Sequence, residues 1–183
     1  NIQKMADFFS TVDADLRPHT KTHKTPIIAH KQIEAGAIGV TCAKLGEAEA
    51  MVHAGIRDIL IANQIVGKQK IARLINLVNH SDIMVAVDDP HNVNQLSAAA
   101  QAKGVTLRVL IEVNIGMDRC GTEPGAPTLE LAQHILKSKA LRFEGMMGYE
   151  GHTVANPSLT ERKIATEKSM TLLVDTKHLL EEN

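Results

Sequence analysis

The sequence predicts an α/β chain on a parallel sheet, with six of the eight strands of a (β/α)8 barrel. Three observations carry this. Short runs rich in Val and Ile alternate with amphipathic segments along the whole chain. These runs are continuously apolar rather than alternating, as in strands covered on both faces. Their starts recur about every 20 to 25 residues, stretching to about 36 before the last, the length of a strand–helix unit. An open doubly wound sheet uses the same series, but the GxGxxG turn expected after its first strand is missing. Six strands are two too few to close a barrel. The expectation is therefore one partial barrel domain over residues 1–183.

The opening "NIQKMADFF" reads as a helix already under way. With Asn rather than Met first, the chain reads as a piece of something longer. Residues Leu16–Lys21 form the first expected strand, and "PIIAHKQIEAG" the helix after it, ending at Gly36. "IGVTC" (Ile38–Cys42) is the second strand, followed by "LGEAEAMVHAG", which closes at Gly55. "DILIA" (Asp58–Ala62) precedes the helix "KQKIARLINLVN", and "IMVAV" (Ile83–Val87) is the fourth strand. In "DDPHN" the two carboxylates read as a helix start rather than a paired-acid site, with Asp89 as N-cap and Pro90 at the first helical position. That helix ends at Gly104. "LRVLIEV" (Leu107–Val113), the helix "PTLELAQHILKSK" and "FEGMMGY" (Phe143–Tyr149) complete the series. A final helix covers about Ser158 to Glu182, where the mixed charges of "LTERKIATEK" mark a solvated face.

Twenty Lys and Arg against 21 Asp and Glu leave a formal charge of −1, and no basic tract marks a nucleic-acid or membrane surface. Aromatic content of 2% argues against base-stacking platforms. Cys42 and Cys120 lie far apart with no CxxC spacing, which fits free thiols in a reducing cytoplasm, and neither is spaced for zinc with a nearby His. No apolar run approaches the length of a membrane span.

In either architecture the working face lies at the C-terminal ends of the strands. Those ends carry Lys21 and His23, Thr41 and Cys42, Asn63 and Gln64, Asp88 and Asp89, Asn114 through Arg119, and Tyr149, Glu150 and His152. The run "LRPHTKTHKTP" stands out. In an extended chain it points Arg17, His19, Lys21 and His23 to one side, with no acidic residue among them. A lysine in a partly dry pocket among such neighbours is pushed toward the neutral, nucleophilic amine that condenses with a carbonyl. The alternative is a solvated lysine on a basic edge, and the residues alone leave both open. Tyr149, the only tyrosine, reads on its own as a packing residue, and Arg119 as a cap over a glycine-rich turn. His30, His53, His80, His134 and His178 fall on helices or their ends and read as surface residues.

"RPHTKTHKT" resembles the cofactor-lysine motif of the D-threonine aldolases, D-serine dehydratases and their relatives, fold-type III enzymes of pyridoxal 5'-phosphate (PLP) with an alanine-racemase-like barrel. Three further stretches agree in order: "TCAKLGEAEAM" with "DILIANQIVG", "IEVNIGMDRCGTEPG", similar to the family's GMxRCG segment, and "FEGMMGYEGH". The resemblance spans nearly the whole chain. It implies that Lys21 carries PLP and moves a proton at the substrate's α-carbon, that Arg119 sits against the cofactor's 3-oxygen, and that Tyr149 covers one ring face. His19, His23, Asn63, Gln64 and His152 are pocket residues on the same warrant.

The resemblance also implies what lies outside the chain: the Gly-rich strand that holds the cofactor phosphate, and a β-rich C-terminal domain bearing a divalent metal site. No metal is expected within residues 1–183, and this piece by itself is expected to be inactive. The implied activity is a PLP-dependent, metal-activated lyase acting on D-configured β-hydroxy amino acids, with retro-aldol cleavage to glycine and an aldehyde as first reading. Elimination by a D-serine or D-threo-3-hydroxyaspartate dehydratase is the alternative, followed by a PLP carrier or an amino acid racemase on the same barrel. The expected partner is a small D-amino acid, with a homodimer for the full-length protein.

Overall fold

The computed structural model describes residues 1–183. Its elements follow the order α1 (Ile2–Phe9), α2 (Pro26–Glu34), β1 (Val40–Cys42), α3 (Leu45–His53), β2 (Asp58–Ile61), α4 (Lys68–Val78), β3 (Asp82–Val87), α5 (Pro90–Lys103), β4 (Leu107–Val113), α6 (Ala126–Leu136), β5 (Leu141–Gly148) and α7 (Leu159–Glu181), with one 3-10 turn at Gly151–Thr153. The five strands pair in sequence order, β1-β2-β3-β4-β5, all parallel. Each crossover is a helix, as parallel pairing requires. No helix is long and apolar enough to cross a membrane.

Two apolar layers lie on the two faces of the sheet, as in part of a barrel. The larger packs the helices against one sheet face through Ile59, Ile61, Ile83, Val85, Val87, Val109 and Ile111. A smaller cluster of Leu60, Met84, Ala86 and Leu110, joined by Ala62 and Met147, fills the inner face. Alternate residues of one strand thus enter two different cores, which is why these strands are apolar throughout. Helix ends follow their local signals. The Asp89 side chain accepts from the Asn92 N–H at 2.8 Å with Pro90 behind it, and Gly104 closes α5 in the left-handed conformation.

The sheet has five strands where the sequence predicts six. Leu16–Lys21 runs beside β1 but meets it in one isolated bridge, His19 to Thr41. Thr41 N–H donates to Pro18 O at 2.8 Å and Thr20 N–H to Thr41 O at 2.7 Å. The ladder cannot continue either way. Pro18 has no N–H for a rung before His19, and Thr20 O is taken by Lys24 N–H at 2.8 Å as the chain turns through Lys24 at φ 51°.

Strand β5 carries an irregularity that the sequence pattern conceals. Val109 pairs with Phe143 but Ile111 with Met146, so β5 has one extra residue there, with Gly145 at φ 127°. Such a bulge changes which alternate residues face a given side. Before it, Arg142 and Glu144 share the side of Arg108; after it, Met147 pairs with Glu112 and joins the inner cluster. Tyr149, two residues on, therefore faces the barrel mouth.

Candidate active site

At the C-terminal ends of the strands lies a cavity of about 590 Å³, lined by Arg17, His19, Lys21, Thr41, Asn63, Gln64, Glu112, Arg119, Cys120 and Tyr149 among others. Its size suits a small cofactor with substrate. Lys21 arrives there because its segment is held at three points. The His19–Thr41 bridge is one; fully buried Thr20, whose hydroxyl donates to Thr41 O at 3.1 Å, is the second. The third is Arg17, which grips Asp58 with both terminal guanidinium nitrogens at 2.8 and 3.2 Å. Alternation then sends Arg17, His19 and Lys21 into the cavity, as the sequence predicts, and stops at the turn.

His23 does not line the cavity. Its Nδ1 accepts from Thr25 N–H at 3.2 Å, and its buried Nε2 has no partner. The crowd of cations read in this run is dispersed by pairing across the fold. Arg17 is neutralised by Asp58, and Lys24 reaches Glu47 at 3.4 Å. Lys21 Nζ makes no ion pair; it lies 5.7 Å from the centroid of the Tyr149 ring. His19 Nδ1 accepts the Lys21 backbone N–H at 3.2 Å, so its neutral ring carries the proton on Nε2. Burial, followed by the charge of Lys21, lowers the His19 pKa from its ordinary value.

The Arg119 guanidinium carbon also stands 5.7 Å from the Tyr149 centroid. Lys21, Arg119 and Tyr149, from three separate motifs, thus form one cluster in which both cations approach the aromatic ring. Asn63 ties its loop to the one after β1, donating to Ala43 O at 3.1 Å, while its Oδ1 receives Gln64 N–H at 3.0 Å. His152 stands apart from the cavity. Its ring lies beside Gly116, where an added Cβ would come within 3.1 Å of it, and its Nε2 is 3.5 Å from the Ser169 hydroxyl.

The cavity floor holds a residue that sequence reasoning passed over. Glu112, 5% exposed, projects from β4 and accepts from Gln64 Nε2 at 2.8 Å and from the Cys120 thiol at 3.2 Å. One signal could have found it: a lone carboxylate inside the apolar run "LRVLIEV". Asp88 separates in role from its neighbour Asp89, accepting from Gln64 Nε2 and Gly121 N–H, both at 2.9 Å. Burial raises the Asp88 pKa from its ordinary value, against the Gly121 bond that lowers it. The Cys120 thiol is also raised, by burial first. His30, read as a surface residue, is half-buried and bonds Ala54 O through Nε2 at 2.8 Å. No group of three His, Cys, Asp or Glu side chains converges on a metal position.

A PLP-like group asks three things of this chain: an amine free to condense, a surface for its ring and a cation for its phenolic oxygen. The unpaired Lys21 Nζ, the Tyr149 ring and the Arg119 guanidinium answer each, so the residues present fit it.

The chain also resembles known proteins along its whole length. The chain is 37% identical to D-threonine aldolase of Arthrobacter sp over 183 residues, covering 100% of this chain and 48% of that protein. It is 33% identical to 3-hydroxy-D-aspartate aldolase of Paracoccus denitrificans (strain Pd 1222), covering 99% and 47%. Among solved structures, D-threonine aldolase from Filomicrobium marinum superposes with a TM-score of 0.97 at 41% identity, over 99% of this chain and 49% of that one. The chain spans about half the length of the curated relatives it matches. The model of the alanine racemase N-terminal domain matches residues 1–182, nearly the whole of this parallel-stranded chain, and the chain belongs to that family.

Proposed function

We propose that this chain is the PLP-binding barrel portion of a lyase acting on D-configured β-hydroxy amino acids, with retro-aldol cleavage to glycine and an aldehyde as the reaction. The observation that carries the reading is the meeting of Lys21 and Arg119 over Tyr149 in one cavity. The aldolases among the relatives support the choice of reaction.

When bound, PLP supplies an electron-accepting ring that weakens a bond at the substrate's α-carbon. Lys21 would hold the cofactor through its amine, and that amine is the base placed to take or return a proton at that carbon. Tyr149 covers one ring face and keeps water from it. Arg119, permanently charged, holds the 3-oxygen as a phenolate. His19, kept neutral by burial, is available beside Lys21 to pass a proton. The divalent metal that would acidify the substrate hydroxyl belongs, on this reading, to residues outside this chain. The free thiols and the absence of a membrane-crossing helix suit a cytoplasmic enzyme, and the full-length protein is read as a homodimer.

Borohydride reduction of the full-length gene product with PLP, followed by peptide mapping, tests the assignment. The pyridoxyl label is expected on the peptide containing Lys21 and is lost in Lys21→Ala, with turnover down about 10³-fold or more. A label on another lysine, or none, refutes it. Glycine and aldehyde from D-threonine support the aldolase reading, whereas ammonia and a keto acid select the dehydratase alternative.

A further inference from the structure

Gln64 spends both of its amide hydrogens on carboxylates. Nε2 donates to Asp88 Oδ2 at 2.9 Å and to Glu112 Oε2 at 2.8 Å, drawing together two acids from neighbouring strands. A primary amide has only two N–H donors, so Gln64 has none left for a ligand. Each of the gathered carboxylates then grips the loop that carries Arg119. Glu112 Oε1 accepts from the Cys120 thiol at 3.2 Å, and Asp88 Oδ2 accepts from Gly121 N–H at 2.9 Å. These are the two residues that directly follow Arg119.

The loop has little freedom to compensate. Asn114 N–H donates to Thr122 O at 2.8 Å and Thr122 N–H to Glu112 O at 2.9 Å, which closes its base on β4. Gly121 lies so close to that strand, at φ 102°, that an added Cβ would fall 2.7 Å from Asn114 N. Without the Gln64 amide, two half-buried or buried carboxylates would face each other with no shared donor, and one would have to move or bind a proton.

We propose that Gln64 is the positioning residue for Arg119, acting through Asp88 and Glu112 and without touching the cofactor itself. The inference rests on the reading of the cavity as a PLP site only for what Arg119 holds, not for how Arg119 is held.

Two measurements on the full-length gene product separate these. In the cofactor-free protein, amide hydrogen exchange at Gly121 is expected to quicken by about tenfold or more in Gln64→Leu; an unchanged rate overturns the proposal whatever the cavity binds. A double-mutant cycle on PLP affinity, read by absorbance titration, supplies the second. Gln64→Leu is expected to weaken PLP binding by about tenfold, and Gln64→Leu with Arg119→Ala to bind no more weakly than Arg119→Ala alone. Fold-changes that simply multiply overturn the proposal. Gln64→Asn, whose amide is one methylene short of spanning both acids, is expected to act in the same direction and serves where the leucine variant unfolds. A wild-type protein that takes up no PLP would refute the cofactor reading, and the exchange rates would still decide the role of Gln64.

Discussion

Replacing Asp58 by Asn tests the anchor that carries Lys21 to the cavity. Arg17 donates to Asp58 at 2.8 and 3.2 Å and makes no other side-chain bond. The Arg17 side chain is 14% exposed and that of Asp58 32%. An amide at position 58 accepts from one guanidinium nitrogen and turns a donor toward the other, so a nearly buried cation loses half its fork and its opposing charge. Breaking a fully buried pair costs about 3–5 kcal/mol. With the carboxylate about one-third open to water, screening reduces this to about 2 kcal/mol. Arg108, which also reaches Asp58, keeps Asp82 at 2.9 Å and Glu144 at 3.2 Å, so the rest of the network survives. For a protein of about twice this length, as the relatives are, 2 kcal/mol corresponds to about 2.5 °C in Tm. Thermal and urea unfolding of the full-length gene product would measure it for Asp58→Asn, Arg17→Met and the pair. The double variant is expected to recover at least about 1 kcal/mol relative to the sum of the singles, because the orphaned cation is gone. A Tm for Asp58→Asn within about 1 °C of wild type, or strict additivity, would refute the reasoning.

Three further outcomes follow from the same geometry. Gly39→Ala would place a Cβ 2.5 Å from Asp58 O and 2.4 Å from Arg17 Nη1, and since the first is backbone, a loss of about 3 kcal/mol is expected in urea unfolding. Burial pushes the Cys42 thiol up to about 11, so at pH 8 only about 0.1% is thiolate, and iodoacetamide should modify it on unfolding but not in the native protein. Because the folded His19 pKa is lowered, the unfolded chain takes the proton first as pH falls below about 6.5. Stability therefore declines from that point downward, and His19→Gln should show a smaller loss between pH 7.5 and 5.5; equal losses would remove His19 from the account.

Local sequence was sufficient for every helix and for five strands. Continuous apolar runs between capping glycines, and Asp89 before Pro90, act within a few residues, and the folded chain obeys them. The order of Lys21, Arg119 and Tyr149 along the chain was also legible, though only through the resemblance of their motifs. What it could not supply was the facing partner. Period-two alternation sends Arg17 to the cavity side but does not reveal Asp58 across from it, 41 residues on. The charges in "RPHTKTHK" look unopposed in sequence because their carboxylates come from β2 and α3.

The sixth strand, the bulge and the cavity floor are tertiary decisions for the same reason. Pro18 and the Lys24 turn remove rungs that a propensity reading assumes, and one extra residue in β5 re-aims Tyr149. Asp88, Gln64 and Glu112 lie on separate strand ends, and nothing in their local sequence marks them as a unit. The sequence by itself determined the helices, five of the strands and which residue types reach the mouth of the barrel, because these depend on near-neighbour sterics and burial. Only the tertiary structure decided which charges cancel, which amide gathers which acids and which side chains share the cavity, because hydrogen bonds and ion pairs are set by distances across strands that the chain order does not contain.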